Sequence, residues 1–512
     1  MALLNTHLTI IEYDHYDFAE MKRVSSGLCP IISIDRKDSK PLYRQVYDAY
    51  RVAIVGGNLR AGQRVPSTRL LAVELGISRI PILNAYAQLL AEGYFESRVG
   101  AGTVISRSLP EQGSFVLPAN KRNINVRSGS RELSRRSAVP ASFERFSWRR
   151  GWGAFGVGQV AFDEFPFGIW NSLVTRHCRN ALAKSLDYGD PMGSGDLRNA
   201  ITMYLRTARA VRCEAHQIMI VTGSQQALDI TARVLLDPGD RVWMEEPGYR
   251  LAGNVFVLNG CTVVPVPVDY SGMNVSIGMQ QCRNARAALV CPSHQYPLGM
   301  TMSVGRRLEL VNWAEHSGAW IIEDDYDSEY RYESMPIPSL QGLDTNSRVI
   351  YIGTFSKVLF PSLRLGYLVI PPDLIKRFLA VRLAMDITPS SFFQAVLADF
   401  IRDGHFSRHI RRMKVLYSER RNVLTESIRK YFGYGADIIG GQAGMHLSVT
   451  LKGIDDREVA ERAARRNLSL LPLSSSYLSN ISRQGFILGF GSTAANDIPA
   501  AVRKLRAVIQ SR

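Results

Sequence analysis

Apolar positions recur along this chain in two rhythms. From residue 41 the spacing is helical. In PLYRQVYDAYRVAIVGGNL, Leu42, Val46, Tyr50 and Ile54 fall on one face of a helix that Pro41 opens and Gly56-Gly57 closes. In PSTRLLAVELGISRIPILNAYAQLLAEGY, Ser67 is placed to cap a helix running to Leu75. Gly76 permits a tight turn, and Ser78 is placed to cap a second helix through Leu90. YFESRVGAGTVIS then predicts two short strands around Gly100 and Gly102. From about residue 156 the rhythm changes. IMIVTG (218–223), DRVWMEEP (240–247), AALVCPS (287–293), AWIIEDDYD (319–327) and RVIYIGTFSK (348–357) are near-continuous apolar runs separated by helical stretches. Such runs suit strands covered on both faces, so the pattern predicts an α/β domain with a mostly parallel sheet.

This divides the chain into an uninformative N-terminal extension (1–33), a helix-rich unit (34–106), a linker (107–155) and the α/β domain (156–512). The linker is rich in Arg, Ser, Gly and Pro and cannot bury much. Met21 is an alternative start, with the first twenty residues an extension.

Charge sharpens the division. Of the formal net charge of +16, residues 1–150 carry +9, with 22 Lys/Arg against 13 Asp/Glu. A basic excess at that end is expected of a region that meets phosphate. The six cysteines are scattered with no CxxC pair, which excludes a disulfide framework and a zinc site and fits reduced thiols in a cytoplasm. No metal site is expected. No apolar run of eighteen residues predicts a membrane span.

Two helices joined by a short glycine turn make a helix-turn-helix, whose second helix enters the major groove with its N-terminal residues at the base edges. Arg79 stands at that end, where it reaches guanine N7 and O6. Arg69 is placed for phosphate and Arg98 for the backbone or minor groove, on a wing turned by Gly100 and Gly102. A helical domain that happens to be basic is the plainer alternative. The run Gly57, Leu59, Gly62, Pro66, Ser67, Arg69, Leu71, Ala72, Leu75, Gly76, Ser78, Arg79 resembles the winged helix-turn-helix of the GntR family over the whole domain. The resemblance implies an α+β fold that binds double-stranded operator DNA, with Ser67 and Ser78 among the contacting residues. Ile80-Pro81 depart from the family pattern, which usually has hydroxyl residues there. Pro81 falls in the first helical turn, where its missing N–H costs nothing, so the departure changes the bases read and not the fold.

In the α/β domain the chemistry centres on Lys357 in TFSKVLFPSLRLGY. Lysine forms Schiff bases with carbonyl compounds, pyridoxal phosphate among them, but a lone lysine is more often a surface charge. Its companions change that. Pyridoxal phosphate needs an acid at its pyridine nitrogen, and IIEDDYD supplies Asp324, with Tyr326 on the same side of the strand for the ring hydroxyl. TGSQQALDI puts Gly223, Ser224 and Gln225 between a strand and a helix, where backbone N–H groups hold an anion. Thr354, Ser356 and Arg364 add hydroxyls and a fixed charge, and Tyr249 a flat cover. Singly, Tyr249 reads as core, Asp324 and Asp325 as a metal site or a solvated strand end, and the Gly223 turn as an ordinary loop.

From about 156 to 510 the chain resembles the fold-type I aminotransferases, the landmarks being YGDPMGSGDLRNAI, TGSQQALD, EEPGY, CPSHQYPLG, EDDYDSEYRY and GTFSKVLFPSLRLGY. The resemblance implies a small C-terminal subdomain and these roles: Lys357 the Schiff-base lysine, Asp324 the pyridine partner, Tyr326 the ring-hydroxyl partner and Tyr249 the stacking residue. Ser224, Gln225, Thr354, Ser356 and Arg364 lie on the phosphate side, and Tyr188 reaches the neighbouring subunit's phosphate. Two departures stand out. Tyr296 occupies the usual Asn before Pro297, and Ile487 aligns with the arginine that grips a substrate carboxylate in the enzymes, Arg483 lying too early to replace it. The order of the two halves, with HQYP, EDDYDSE and TFSK, resembles the MocR-type regulators. That implies a head-to-tail homodimer in which an effector amine or amino compound exchanges with Lys357 and alters operator binding. The competing expectations are a working aminotransferase with an appended DNA domain and a regulator that has lost the cofactor.

Overall fold

The computed structural model describes residues 29–98, 102–108, 153–180, 187–333 and 337–511, and the isolated positions 134 and 138. These fall into two compact units divided at Glu132/Leu133. Among the described residues no helix is long and apolar enough to cross a membrane.

In the first unit, α1 (Leu42–Val55), α2 (Thr68–Glu74) and α3 (Arg79–Ala91) precede a hairpin of β1 (Phe95–Arg98) and β2 (Gly102–Ile105), paired antiparallel with Arg98 opposite Gly102. Val46, Tyr50 and Ile54 of the predicted α1 face are buried, and Leu42 is half-buried at the helix start. The core turns on three rings. Tyr50, Tyr86 and Phe95 meet edge to face with centroids 5.1–5.6 Å apart, an arrangement that adds about 0.5–1.5 kcal/mol per pair beyond area burial. The Tyr86 hydroxyl donates to the Pro66 carbonyl (3.0 Å), which pins α3 to the entry of α2. Ser67 Oγ caps α2 by accepting from Leu70 N–H (3.2 Å). Ser78 sits at the N-cap of α3 but makes no side-chain capping bond, contrary to expectation. Gly76 turns between the helices at φ +62°, and its carbonyl accepts from Arg36. Cys29, Ile32 and Ile34 pack on this core, so the unit starts earlier than the composition marked.

The second unit is built on an eight-stranded sheet. Its strands are β3 (Ile218–Val221), β4 (Arg241–Glu246), β5 (Thr262–Asp269), β6 (Gly272–Met273), β7 (Ala287–Val290), β8 (Trp320–Asp325), β9 (Val349–Thr354) and β10 (Gly366–Val369). Their order is β3-β10-β9-β8-β7-β4-β5-β6, with β9, β8, β7, β4 and β5 mutually parallel. β10 is antiparallel to both neighbours, which leaves β3 running in the same sense as β9. β3, β7 and β9 are buried along their whole length, as their unbroken apolar sequences require, while β5, towards the sheet's edge, is mostly half-buried. A smaller sheet of β11 (Ala436–Gly440), β12 (His446–Leu451), β13 (Leu471–Pro472) and β14 (Gly485–Gly489) lies in the order β11-β12-β14-β13. One face, with Leu447, Val449, Phe486 and Leu488, packs in a cluster with residues of the helices His405–Phe432 and Ile498–Gln510. Residues 153–155 belong to this unit and not to a linker: Ala154 pairs with Leu468, and Phe155 is fully buried.

Candidate functional site

The first unit presents Arg69 and Arg79 to solvent at the starts of α2 and α3. Arg79 Nε donates to Thr68 Oγ1 (3.0 Å), so the two helix starts are tied and the arginine is held beside the exposed Ser67 and Ser78. Ile80, next in the helix, is 68 % exposed. An unpartnered apolar side chain at that place suits contact with a thymine methyl better than a hydrogen-bonded base edge. On the wing, a Cβ at Gly102 (φ +82°) would lie 3.0 Å from an Arg64 nitrogen. Arg64 thus joins the basic wing, which sequence reasoning missed because it lies outside both helices. Gly100 and the side chain of Arg98 lie outside what is described.

In the second unit, Asp324 and Thr354 stand in the last residues of β8 and β9, Tyr326, Ser356 and Lys357 just beyond them, Ser224 and Gln225 at the helix start that follows β3, Tyr249 after β4, and Arg364 just before the antiparallel β10, all at one edge of the sheet. In open α/β sheets this is where ligands bind. Lys357 follows β9, and its Nζ donates to the Gly158 carbonyl (3.3 Å). Asp324, at the end of β8, is buried, and its Oδ1 has no hydrogen-bond partner. Burial first, then the nearby charges of Asp325 and Asp327, push its carboxyl up to about 7, while Lys357 pulls it down. An orphaned buried carboxylate is costly and calls for a cation or donor. Asp325, one residue on, faces the other way: its Oδ2 accepts from Arg209 Nε (2.8 Å) and from the Tyr351 hydroxyl (2.5 Å). Strand alternation has therefore given the two neighbouring acids different duties.

A cup for an anion stands beside the lysine. Gly223 (φ +131°) is the N-cap of the helix Ser224–Leu235, so the N–H groups of that first turn are unbonded within the helix. The Arg364 guanidinium lies 3.4 Å from where a Cβ at Gly223 would stand, and φ +131° is a conformation that L side chains rarely adopt, so glycine suits this turn. Thr354 Oγ1 accepts from Ser356 N–H (3.2 Å), shaping the turn into Lys357. Gln225 Nε2 donates to the Tyr249 hydroxyl (3.4 Å), and the Tyr249 ring meets Tyr296 edge-on at 5.7 Å. Tyr188 is 77 % exposed.

A buried polar array continues from Tyr326. Its hydroxyl lies 3.1 Å from His294 Nδ1, which is also 2.8 Å from Asp327 Oδ1. The His294 ring is 4.9 Å from that of His446, and Tyr296 is 5.5 Å from the latter. His446 is buried and neutral: desolvation, then His294, lower it to about 3. His294, Asp327 and His446 have donor types that suit a metal ion, with ligand atoms within 4.8 Å of one another. The hydrogen bond between His294 and Asp327 uses two of those donors. Sequence reasoning singled out neither His446 nor Gly158; a histidine in an alternating strand and a glycine after a linker look ordinary until the fold brings them to Lys357.

The geometry is that of a fold-type I aminotransferase domain on a chain that also carries a winged helix-turn-helix. Residues 155–484 match the family Aminotransferase class I and II, and residues 42–105 match the bacterial regulatory proteins of the gntR family. The chain is 39 % identical over 477 residues to the "Probable rhizopine catabolism regulatory protein MocR" of Rhizobium meliloti, covering 93 % of this chain and 95 % of that one. It is 29 % identical over 461 residues to the "HTH-type pyridoxine biosynthesis transcriptional regulator PdxR" of Corynebacterium glutamicum, covering 90 % and 94 %. Among solved structures, the kynurenine aminotransferase of Pyrococcus horikoshii superposes with a TM-score of 0.67 at 27 % identity, over 74 % of this chain and 96 % of that one. The multiple substrate aminotransferase of Thermococcus profundus gives 0.68 at 28 %, over 74 % and 97 %. The protein belongs to the MocR-type members of the GntR family, regulators in which a GntR DNA-binding domain is joined to a class I and II aminotransferase domain.

Proposed function

We propose that the protein is a pyridoxal-phosphate-dependent transcriptional regulator that senses a small amine at Lys357. The observation that carries the cofactor half is the unpartnered Oδ1 of buried Asp324 beside Lys357. Bound there, the cofactor would supply an aldehyde carbon for which the amines of Lys357 and of a primary-amine effector compete. Asp324 would pair with its pyridine N–H, the Gly223–Ser224 turn and Arg364 would hold its phosphate with Thr354 and Ser356, and Tyr326 would hydrogen-bond its ring hydroxyl. Tyr249 and Gln225 close one side. Arg79, Ile80 and the wing read operator DNA, and Arg69 and Arg64 meet phosphate. An effector that displaces Lys357 would change what this side chain packs against, and operator affinity would shift by the difference in effector affinity between the two states.

The exposure of Tyr188 supports a homodimer, head to tail, in which that residue completes the partner's phosphate site. A cytoplasmic protein with reduced thiols fits the six free cysteines. The Rhizobium meliloti relative is named for rhizopine catabolism, which makes rhizopine a candidate effector and its catabolic genes candidate targets.

The test is capture of sheared source DNA by purified, cofactor-loaded protein, followed by sequencing. A few sharp sites are expected, with Lys357→Ala binding the same sites within about threefold while losing the cofactor's absorbance band and every effector response. Diffuse recovery that vanishes at moderate salt, together with steady transamination of amino acids, would replace this reading by a working aminotransferase.

A further inference from the structure

Behind Tyr326 stands a buried pair. His294 Nδ1 lies 2.8 Å from Asp327 Oδ1 and 3.1 Å from the Tyr326 hydroxyl. Both residues of the pair are 2 % exposed. Backbone closes over them. A Cβ at Gly444 (φ +70°) would lie 2.0 Å from His294 Cε1 and 2.5 Å from Asp327 Oδ2, which accepts from the neighbouring Met445 N–H (3.3 Å). A Cβ at Gly299 would lie 3.2 Å from His294 Nε2, and that nitrogen has no hydrogen-bond partner among the described residues. Tyr326 is set differently. Its neighbours Asp325 and Asp327 are buried, but it is half-buried, like Lys357 and Tyr296, so part of it borders open space.

These contacts decide where the protons lie. With its proton on Nε2 alone, the His294 ring would bury an N–H without an acceptor and turn the Nδ1 lone pair on a carboxylate oxygen. The proton is therefore on Nδ1, donated to Asp327. Nδ1 then has no lone pair, so the Tyr326 hydroxyl cannot donate to it; the hydroxyl oxygen takes a share of the same N–H instead. The phenol keeps its own proton. Burial first, then Asp327, with Cys291, Tyr296 and Asp324 also facing it, raises its ionisation well above the usual range. Among the described residues the hydroxyl makes no further hydrogen bond. It is a donor left without an acceptor.

We propose that His294 and Asp327 are positioning residues for the cofactor: by keeping a proton on Nδ1 they deny that nitrogen to the Tyr326 proton and leave it one destination, the ring oxygen of the cofactor. Tyr326 is then a one-way donor, and a donor to that oxygen favours its anionic form. The inference deepens the reading of Lys357 as the cofactor-bearing lysine and rests on it, and the test separates the two.

Full-length, cofactor-loaded protein without effector is titrated with acid and base, and the pH midpoint of the cofactor's absorbance band is read. Absence of the band in the wild type would overturn the reading of Lys357, and the inference with it. Tyr326→Phe removes the donor and is expected to raise the midpoint by about one pH unit, the size of one hydrogen bond to a charged oxygen. A midpoint left in place would refute the inference while the band itself upheld the lysine. Asp327→Asn keeps an acceptor for Met445 N–H and turns an amide N–H on Nδ1. The ring proton then moves to Nε2, and Nδ1 becomes an acceptor that draws the Tyr326 proton away from the cofactor. The midpoint of this variant is expected to rise by at least about half a unit. Loss of the Asp327 charge by itself lowers the midpoint, so a fall or no change would count against the pair and sink the proposal. In the Tyr326→Phe background, Asp327→Asn is expected to give no further rise; a further rise there would mean that Asp327 acts without Tyr326, which also refutes it. Should Asp327→Asn not fold, NMR of the wild type with isotope-labelled histidine ring nitrogens reads the ring directly: a proton on His294 Nδ1 is expected, and a bare Nδ1 overturns the inference.

Discussion

Lys357 Nζ rests 3.3 Å from the carbonyl oxygen of Gly158, 199 residues earlier in the chain. The approach depends on glycine twice. Gly158 has φ +76°, and a Cβ there would lie 2.2 Å from Nζ. Gly158→Ala therefore strains the backbone by about 1 kcal/mol and displaces the amine. Cofactor loading is expected to fall at least about tenfold, read by absorbance after dialysis, with the fold retained by circular dichroism. Loading as tight as in the wild type would show that the lysine has another resting place.

The buried acids make the cofactor-free protein pH-sensitive. The folded pKa of Asp324 is raised from 3.8 to about 7, so the folded state binds this proton more tightly than the unfolded one. The contribution of this carboxyl to stability is then fully present in acid and is lost as pH rises through 4 to 7. Burial likewise raises Glu245, to about 8, extending the loss upward. The melting temperature of cofactor-free protein is expected to fall between pH 5 and 8. Asp324→Asn should flatten part of that slope, raising stability at pH 8 by about 2 kcal/mol. The same variant should lose cofactor affinity, because the neutral amide cannot pair with a protonated pyridine nitrogen. A slope unchanged by Asp324→Asn would mean that this carboxyl is already ionised in the folded protein.

Asp325 answers differently. Its partner Arg209 also donates to Ser293 Oγ (2.7 Å) and to the Ile337 carbonyl (2.8 Å), which ties β8 to two loops. Both side chains are nearly inaccessible, at 2 % and 3 % exposure. Arg209→Met leaves a buried charge unpaired and is expected to cost about 3–5 kcal/mol by denaturant unfolding. A loss below about 1 kcal/mol would mean that water reaches Asp325.

On the DNA side, Arg79→Ala is expected to cost about 1–3 kcal/mol and to relax discrimination at one base pair, by competition binding with substituted operators. Arg69→Ala should weaken all sequences alike and lower the slope of log K against log salt by about one. Interchanged outcomes would mean that α2, and not α3, lies along the bases.

The local order of this chain is written in its residues. The switch from helical spacing to continuous apolar runs marks two units, because a helix must present one face to a core and a covered parallel strand must be apolar throughout. Asp324, Tyr326, Gly223, Arg364 and Lys357 were legible because each sits beside a strand end, where alternation and turn chemistry dictate direction. Tertiary structure alone determined the rest. That Asp324 is orphaned while Asp325 is paired depends on Arg209, 116 residues away in sequence. That Gly158 meets Lys357, and that β14 packs at Gly489 against Gly156 two residues earlier, depends on a separate sheet folding back on the first. No local pattern encodes such contacts. They arise when apolar faces far apart in sequence are buried together and carry their few polar atoms with them.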